Sequence, residues 1–307
     1  SRRRNTRFLH RSRGLGDVYK RQGMMQVWEI SEPYPALDLF ALDYGPGIAH
    51  LPEALEDGYT TARTMGKGLG AVRRLAHKAE FYTLPTGVAN DAPWHGMSVW
   101  ARFNLSTPIM DPRYEIGSFV RAYQDDHHNG DLISVKYTRD SLQWLHMDGL
   151  GHGKCAFDVT QGADEIMQES ATPMHTMDTL SNSMKGTRGA VAIAAEIDFE
   201  SCSGSICGVG DMAAYMVCNG QRRAISFSPG VLGHDHRSLE ELPLQFPQQA
   251  LLMTASDGIR KSWGLGTFPG LWRLHPQLIA FFLGNTAGRG NDDKSLFVLR
   301  TTPTRGN

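Results

Sequence analysis

Beyond residue 113 most of the chain is written in short apolar or alternating runs: 116–123, 132–137, 142–147, 190–199, 205–209, 213–218, 223–228, 250–255 and 295–301. Runs of this length, punctuated by Gly, Asn, Asp and Ser, are strands, and a period of two gives each strand one face for a core. Sheets built from such strands must stack on one another or under helices, because neither face is covered from within the strand itself. Apolar positions at helical spacing over 154–169 and around 174–184 predict helices, and 276–285 predicts a late helix before the terminal strand.

The part before residue 104 has the same mixed texture on a smaller scale. Strands are expected at 27–30 and 36–42, a helix follows over 68–79 with Leu69, Val72, Leu75 and Ala76 on one side, and strands resume at 79–84 and 97–103. Pro108 and Pro112 interrupt the pattern between the two parts. The expected organisation is a leader over 1–23, an α/β unit over 24–104, a linker over 105–112, a second α/β (α+β) unit over 113–303 and a tail over 304–307. The leader carries eight Arg or Lys and no apolar periodicity, and 12–22 reads as a translated adapter scar outside the fold.

Lys plus Arg number 31 against 32 Asp plus Glu, so a net charge of -1 offers no broad attraction to nucleic acid or anionic lipid. No run approaches the ~20 apolar residues that span a bilayer, and no secretory signal is evident, so a cytoplasmic protein with a protein or small-molecule partner is expected. Cys155, Cys202, Cys207 and Cys218 lack a paired Cys-x-x-Cys spacing and read as reduced thiols.

Asp131, Asp148, Asp257 and Asp292 each sit in a Gly-containing turn at the edge of an expected strand. A buried aspartate is costly alone, but strand edges can converge, and hard oxygen donors gathered in one place suit magnesium or manganese. Taken one at a time, an Asp-Gly pair is most often only a turn. In order, however, Gly130-Asp131, Asp148-Gly149-Leu150-Gly151-His152-Gly153, Ser256-Asp257-Gly258 and Asp292-Asp293 resemble the 2C-type metal-dependent protein phosphatases, in particular their SpoIIE-like bacterial branch, across roughly 113–303.

That resemblance implies an α-β-β-α sandwich in which Asp148 bridges two cations, Gly149 offers its carbonyl, and Asp131, Asp257 and Asp292 complete the ligand set. Asp148 and Asp257 are the residues on which hydrolysis would depend, with Mn2+ or Mg2+ supplying the chemistry. Lys294 and Ser295 depart from the family's small apolar residue and Thr, and Asp211 stands where the family often has Asn. His152 could donate a proton to the leaving oxygen, but between two glycines it reads as a structural or solvent-facing residue.

Residues 24–104 resemble the latter part of the GHKL (Bergerat) ATPase and anti-sigma serine-kinase fold. Asp43, Gly45 and Gly47 match its first glycine box, Gly66, Gly68 and Gly70 its second, and Gly96-Met97-Ser98 loosely its third. The resemblance implies that Asp43 would receive an adenine amino group and that the second box would present N–H groups to phosphates. The preceding helix with its Glu and Asn is missing, so ATP is expected of an intact parent only. Together the two resemblances imply a phosphoserine/phosphothreonine phosphatase acting on a phosphorylated STAS-domain anti-sigma antagonist or stressosome protein. The rival is a non-catalytic switch protein with a relic ATP site. His127, His128, His234 and His236 read as polar surface turns, and Trp263 and Trp272 as packing or a lid.

Overall fold

The computed structural model describes residues 23–31, 34–56, 68–89, 92–107, 114–234, 236, 238–261 and 263–302. It begins with β1 (Met24–Ile30), β2 (Ala36–Leu42), the short α1 (Leu51–Ala54), α2 (Gly68–Leu75), β3 (Lys78–Leu84) and β4 (Gly96–Asn104). These strands form an antiparallel N-terminal sheet in the order β1-β2-β4-β3. One face, with Phe81, Met97 and Val99, takes the apolar sides of α1 and α2. The other face is aromatic: Trp28, Phe40, Tyr82 and Trp100 are all buried in a second cluster. Within the sheet Arg102 donates through Nε and Nη2 to the two carboxylate oxygens of Asp38 at 2.7 and 2.6 Å, a bidentate pair that satisfies a fully buried charge.

The second part contains β5 (Tyr114–Arg121), β6 (Asp131–Tyr137), β7 (Ser141–Gly149), α3 (Lys154–Thr160), α4 (Ala163–Glu169), α5 (Pro173–Ser183), β8 (Ala190–Asp198), β9 (Ser203–Val209), β10 (Ala213–Cys218), β11 (Gln221–Ile225), β12 (Glu241–Gln245), β13 (Leu251–Ala255), α6 (Pro276–Thr286) and β14 (Lys294–Thr301). A front sheet runs β12-β9-β8-β7-β6 and a back sheet β11-β10-β13-β14-β5. The expected strands are present. The expected helix over 154–169 is two, because Gly162 takes a left-handed φ of 77° and ends α3 before α4 can continue it. Strand β12 was not foreseen: it holds Pro243, and it lies at the edge of the front sheet, where a missing N–H is tolerated.

Alternation sorts the layers. Ile133, Trp144, Val191, Ile193 and Ile197 of the front sheet face Leu252, Phe297 and Leu299 of the back sheet. The intervening Leu132, Leu145, Met147, Ala192 and Ala194 face Met167, Met177, Leu180 and Met184 of α4, α5 and the turn after it. On the far side of the back sheet lies α6, which also meets the aromatic face of the N-terminal sheet. The α-β-β-α sandwich is therefore present, with a further sheet laid over α6.

Candidate metal centre

The inner faces of the sandwich change character towards one end. Along β7 the alternating positions Trp144, His146 and Asp148 pass from apolar to polar to carboxylate. Trp144 stacks against Phe297 at 5.4 Å. His146 is fully buried and joins both sheets, its Nδ1 2.7 Å from the Thr254 hydroxyl and its Nε2 2.7 Å from the Ser295 hydroxyl. Burial pushes the imidazole's pKa down to about 3, which keeps it neutral. Ser295 thus supplies a hydroxyl to this bridge.

One step further out, Asp131 at the start of β6 and Asp148 near the end of β7 are direct cross-strand partners. Asp131 is buried, and neither of its carboxylate oxygens has a hydrogen-bond partner. Its pKa is raised, chiefly by burial and further by the charges of Asp293 and Asp292, with the nearby Ser295 and Ser256 hydroxyls opposing. Asp148 is raised by burial and then by the charges of Asp131, Asp257 and Asp292, while the backbone N–H of Asp257 points to its carboxylate and opposes the rise. Asp257 is raised by burial, Asp292 and Asp211, against Arg289 and Lys261. Four aspartates far apart in sequence therefore repel one another at one end of the sandwich.

Glycines make the convergence possible. A Cβ on Gly130 would sit 2.5 Å from the Cβ of Ala156, and one on Gly149 would sit 2.6 Å from the Ala156 carbonyl oxygen, so α3 packs directly on the strand ends that carry Asp131 and Asp148. A Cβ on Gly258 would lie 1.8 Å from the Asp293 carbonyl oxygen. The loops bearing Asp257 and Asp292 are laced there: the Arg289 N–H donates to the Gly258 carbonyl at 2.7 Å, and Ile259 bridges Gly288.

Asp293 stands beside Asp292 in the sequence motif but was given no role there. Its two carboxylate oxygens accept from the Tyr123 N–H and the Gly130 N–H, each at 2.7 Å, tying the start of β14 to the residue before Asp131. Its adjacency to Asp292 was a legible signal, as was the i, i+2 spacing of His146 and Asp148 on one strand. His152 is exposed and lies 5.0 Å from the Tyr123 ring, outside the hydrogen-bonded part of the centre.

Among the described residues no three His, Cys, Asp or Glu side chains stand close enough together to hold an ion as they are. The donor chemistry nevertheless fits a hard divalent cation, because the cluster offers only oxygen and the buried Asp131 oxygens have no other partner.

The other predicted residues lie elsewhere. Asp43 Oδ1 accepts from the Gly45 N–H at 2.8 Å and the Met97 N–H at 3.1 Å, so this oxygen holds its own turn against β4. Gly47, at φ 75°, passes within 2.6 Å of the Leu84 carbonyl oxygen, measured from the Cβ it lacks. An open cavity of about 490 Å³ beside this turn is lined by Tyr44, Gly45, Pro46, Thr86, Trp94 and His95. Gly68 and Gly70 open α2, and Gly66 lies outside the described residues. A separate cavity of about 840 Å³, lined by Glu80, Glu115, Trp272, Arg273, His275 and Arg300 among others, holds none of the predicted catalytic, metal or nucleotide residues. His234 donates through Nε2 to the Thr187 and Arg188 carbonyls and His236 pairs with the Ser181 hydroxyl, while Trp263 and Trp272 stack at 5.1 Å. All four cysteines are free, and no helix among the described residues is long and apolar enough to cross a membrane.

No protein-family profile and no curated protein matches the chain. Solved structures do. A chain from the bacterial stressosome, described as a modular system adapted to control secondary messenger signalling, is 24% identical over 61% of this chain and 99% of its own, at a TM-score of 0.55. RsbX in complex with magnesium is 16% identical over 63% and 98%, also at 0.55. The PP2C phosphatase domain and a fragment of the regulatory domain of SpoIIE from Bacillus subtilis are 15% identical over 92% of this chain and 82% of that one, again at 0.55. The chain therefore shares the fold of the PP2C-type serine phosphatases.

Proposed function

We propose that the chain is a metal-dependent phosphoserine/phosphothreonine protein phosphatase. The observation that carries this reading is the gathering of Asp131, Asp148, Asp257 and Asp292 at one end of the sandwich, where burial and mutual repulsion raise the pKa values of the first three. A carboxylate cluster of that kind is unfavourable on its own and is relieved by divalent cations. A neighbour of the same fold holding magnesium supports it.

Asp131, Asp148, Asp257, Asp292 and the Gly149 carbonyl would hold one or two Mg2+ or Mn2+ ions. When bound, such ions neutralise phosphoryl oxygens and acidify the attacking water. The chain's own residues orient the donors. The Asp131–Asp148 register fixes two carboxylates side by side, Asp293 anchors the turn before Asp131, and the Gly258 contact holds the Asp257 and Asp292 loops together. Neutral His146 sets the spacing of the two sheets beneath them. No Cys or Ser nucleophile is required by this arrangement.

The fold neighbours named for the stressosome and for RsbX support a phosphorylated STAS-domain anti-sigma antagonist or stressosome protein as the substrate, within a partner-switching pathway. In this reading 24–104 belongs to a GHKL ATPase-like domain, supported by the glycine-bounded Asp43 turn beside an open cavity. A second reading, a non-catalytic binding module, is favoured by the absence of a ready three-ligand cluster among the described residues. Hydrolysis of p-nitrophenyl phosphate and of a phosphoserine peptide, with manganese, magnesium or chelator, separates the two. Metal-dependent turnover abolished in Asp148→Asn is expected; no turnover with any metal counts against the phosphatase and favours the binding module.

A further inference from the structure

Helix α6 is enclosed on both sides, every residue from 276 to 284 being buried. One side packs on Phe119, Leu296 and Val298 of the back sheet. The other receives the aromatic face of the N-terminal sheet. Phe281 stacks on Phe40 at 4.3 Å and 20° and meets Trp28 at 5.8 Å, while Phe282 meets Tyr82 edge-on at 5.0 Å and Trp94 edge-on at 4.8 Å. Trp94 is itself fixed, its indole N–H donating to the Asp43 carbonyl at 2.9 Å.

The C-terminal end of the same helix reaches the carboxylate loops. The Ala287 N–H donates to Leu283 at 2.8 Å, and the Ala287 carbonyl accepts from the Arg260 N–H at 2.9 Å. The next residues make the Ile259–Gly288 bridge and the bond from the Arg289 N–H to the Gly258 carbonyl. Thus Asp257 and Asp292 stand in two loops that are held together by the end of a helix, and that helix is held in place by another sheet.

We infer that Trp94 is a positioning residue for the carboxylate centre, acting through Phe282 and α6 on the loops of Asp257 and Asp292. The inference rests on the phosphatase reading for its kinetic arm, but its structural arm stands apart from activity. Interiors are close-packed and transmit displacement rather than absorbing it. Loss of the indole leaves a void against Phe282, and the helix can then shift or rotate towards it, carrying Ala287 and Gly288 away from Arg260 and Ile259. Trp94, buried at 3% exposure, also stands among the residues that line the open cavity beside the Asp43 turn.

The test uses the full chain with Trp94→Ala, the conservative Trp94→Phe and the control Phe81→Ala, whose ring lies on the opposite face of the same sheet, in the cluster with α1 and α2. Amide hydrogen exchange across 258–260 and 287–293 is read in metal-free protein, and the manganese concentration for half-maximal p-nitrophenyl phosphate hydrolysis is read alongside. Trp94→Ala is expected to speed exchange in both loops by about tenfold and to raise the manganese requirement by about fivefold. Trp94→Phe should recover most of both, and Phe81→Ala should leave both within about twofold. Unchanged exchange in a folded Trp94→Ala protein overturns the inference, as does an equal change in Phe81→Ala, which would reveal mere loss of overall stability. Should Trp94→Ala not fold, Phe282→Leu is judged by the same outcomes. If no protein hydrolyses the substrate, the phosphatase reading fails while the exchange data still decide this one.

Discussion

Replacing Gly258 by alanine probes the centre with a single methyl group. The backbone of Gly258 is not in the left-handed region, so the substitution carries no intrinsic conformational penalty there. The obstacle is contact: the new Cβ would lie 1.8 Å from the Asp293 carbonyl oxygen, whereas real Cβ atoms essentially never come within 3.0 Å of another atom. The loops of Asp257 and Asp292 must therefore part by about 1.2 Å, against the bond between the Arg289 N–H and the Gly258 carbonyl. Overpacking of this kind costs about 1–3 kcal/mol, and misplacing catalytic groups by about 1 Å lowers turnover by about a hundredfold. The assay is manganese-dependent kcat/KM with p-nitrophenyl phosphate, paired with urea unfolding. Gly290→Ala, in the Asp292 loop with nothing within 4 Å of its Cβ, is the matched control and is expected to be neutral. Activity of Gly258→Ala within about threefold of the parent would refute the claim that this contact sets the spacing of the carboxylates.

Asp293→Asn replaces one of two acceptors by an amide donor facing the Tyr123 or Gly130 N–H; stability should fall by about 1–3 kcal/mol and the manganese requirement should rise, and an unchanged requirement argues against a role in placing Asp131. In metal-free protein the raised pKa values of Asp131 and Asp148 mean that the native state keeps protons the unfolded chain has released. Their contribution is complete below the ordinary carboxylate range and is lost as pH rises through neutrality, by about 1.4 kcal/mol per pH unit for each retained proton. Asp148→Asn should therefore gain stability relative to the parent in urea titrations from pH 5 to 8, and a pH-independent difference would contradict the crowding. His146 acts in the opposite sense: with its pKa pushed down to about 3, its contribution is complete above the ordinary imidazole pKa of 6.5 and is lost as pH falls, so His146→Gln should flatten the acid limb of the same titration. Asp38→Asn leaves the Arg102 guanidinium buried without its counter-charge and should cost about 3–5 kcal/mol, read by thermal or urea unfolding, with little change expected if the pair were solvated.

The amino-acid sequence by itself determined the strands, because an apolar run with Val191, Ile193, Ala195 and Ile197 on one face and Ala190, Ala192 and Ala194 on the other is a local record of a strand covered on both sides. It also marked the ends where carboxylates gather, since Gly130, Gly149 and Gly258 stand beside them and each is required by a close approach. It did not show the division of 154–169, where one glycine's left-handed φ overrides a continuous apolar spacing, nor strand β12, whose pairing with β9 outweighs its proline. What His146 and Asp293 bond to was hidden for another reason. Their partners Thr254, Ser295, Tyr123 and Gly130 lie 108 to 170 residues away, and a hydrogen bond over that separation leaves no periodicity in the chain. Only tertiary structure decided that the aromatic face of the N-terminal sheet lies on α6. The residues of both surfaces are apolar, and burial of apolar area is non-directional, so sequence could announce that each face needed cover but not that each would cover the other.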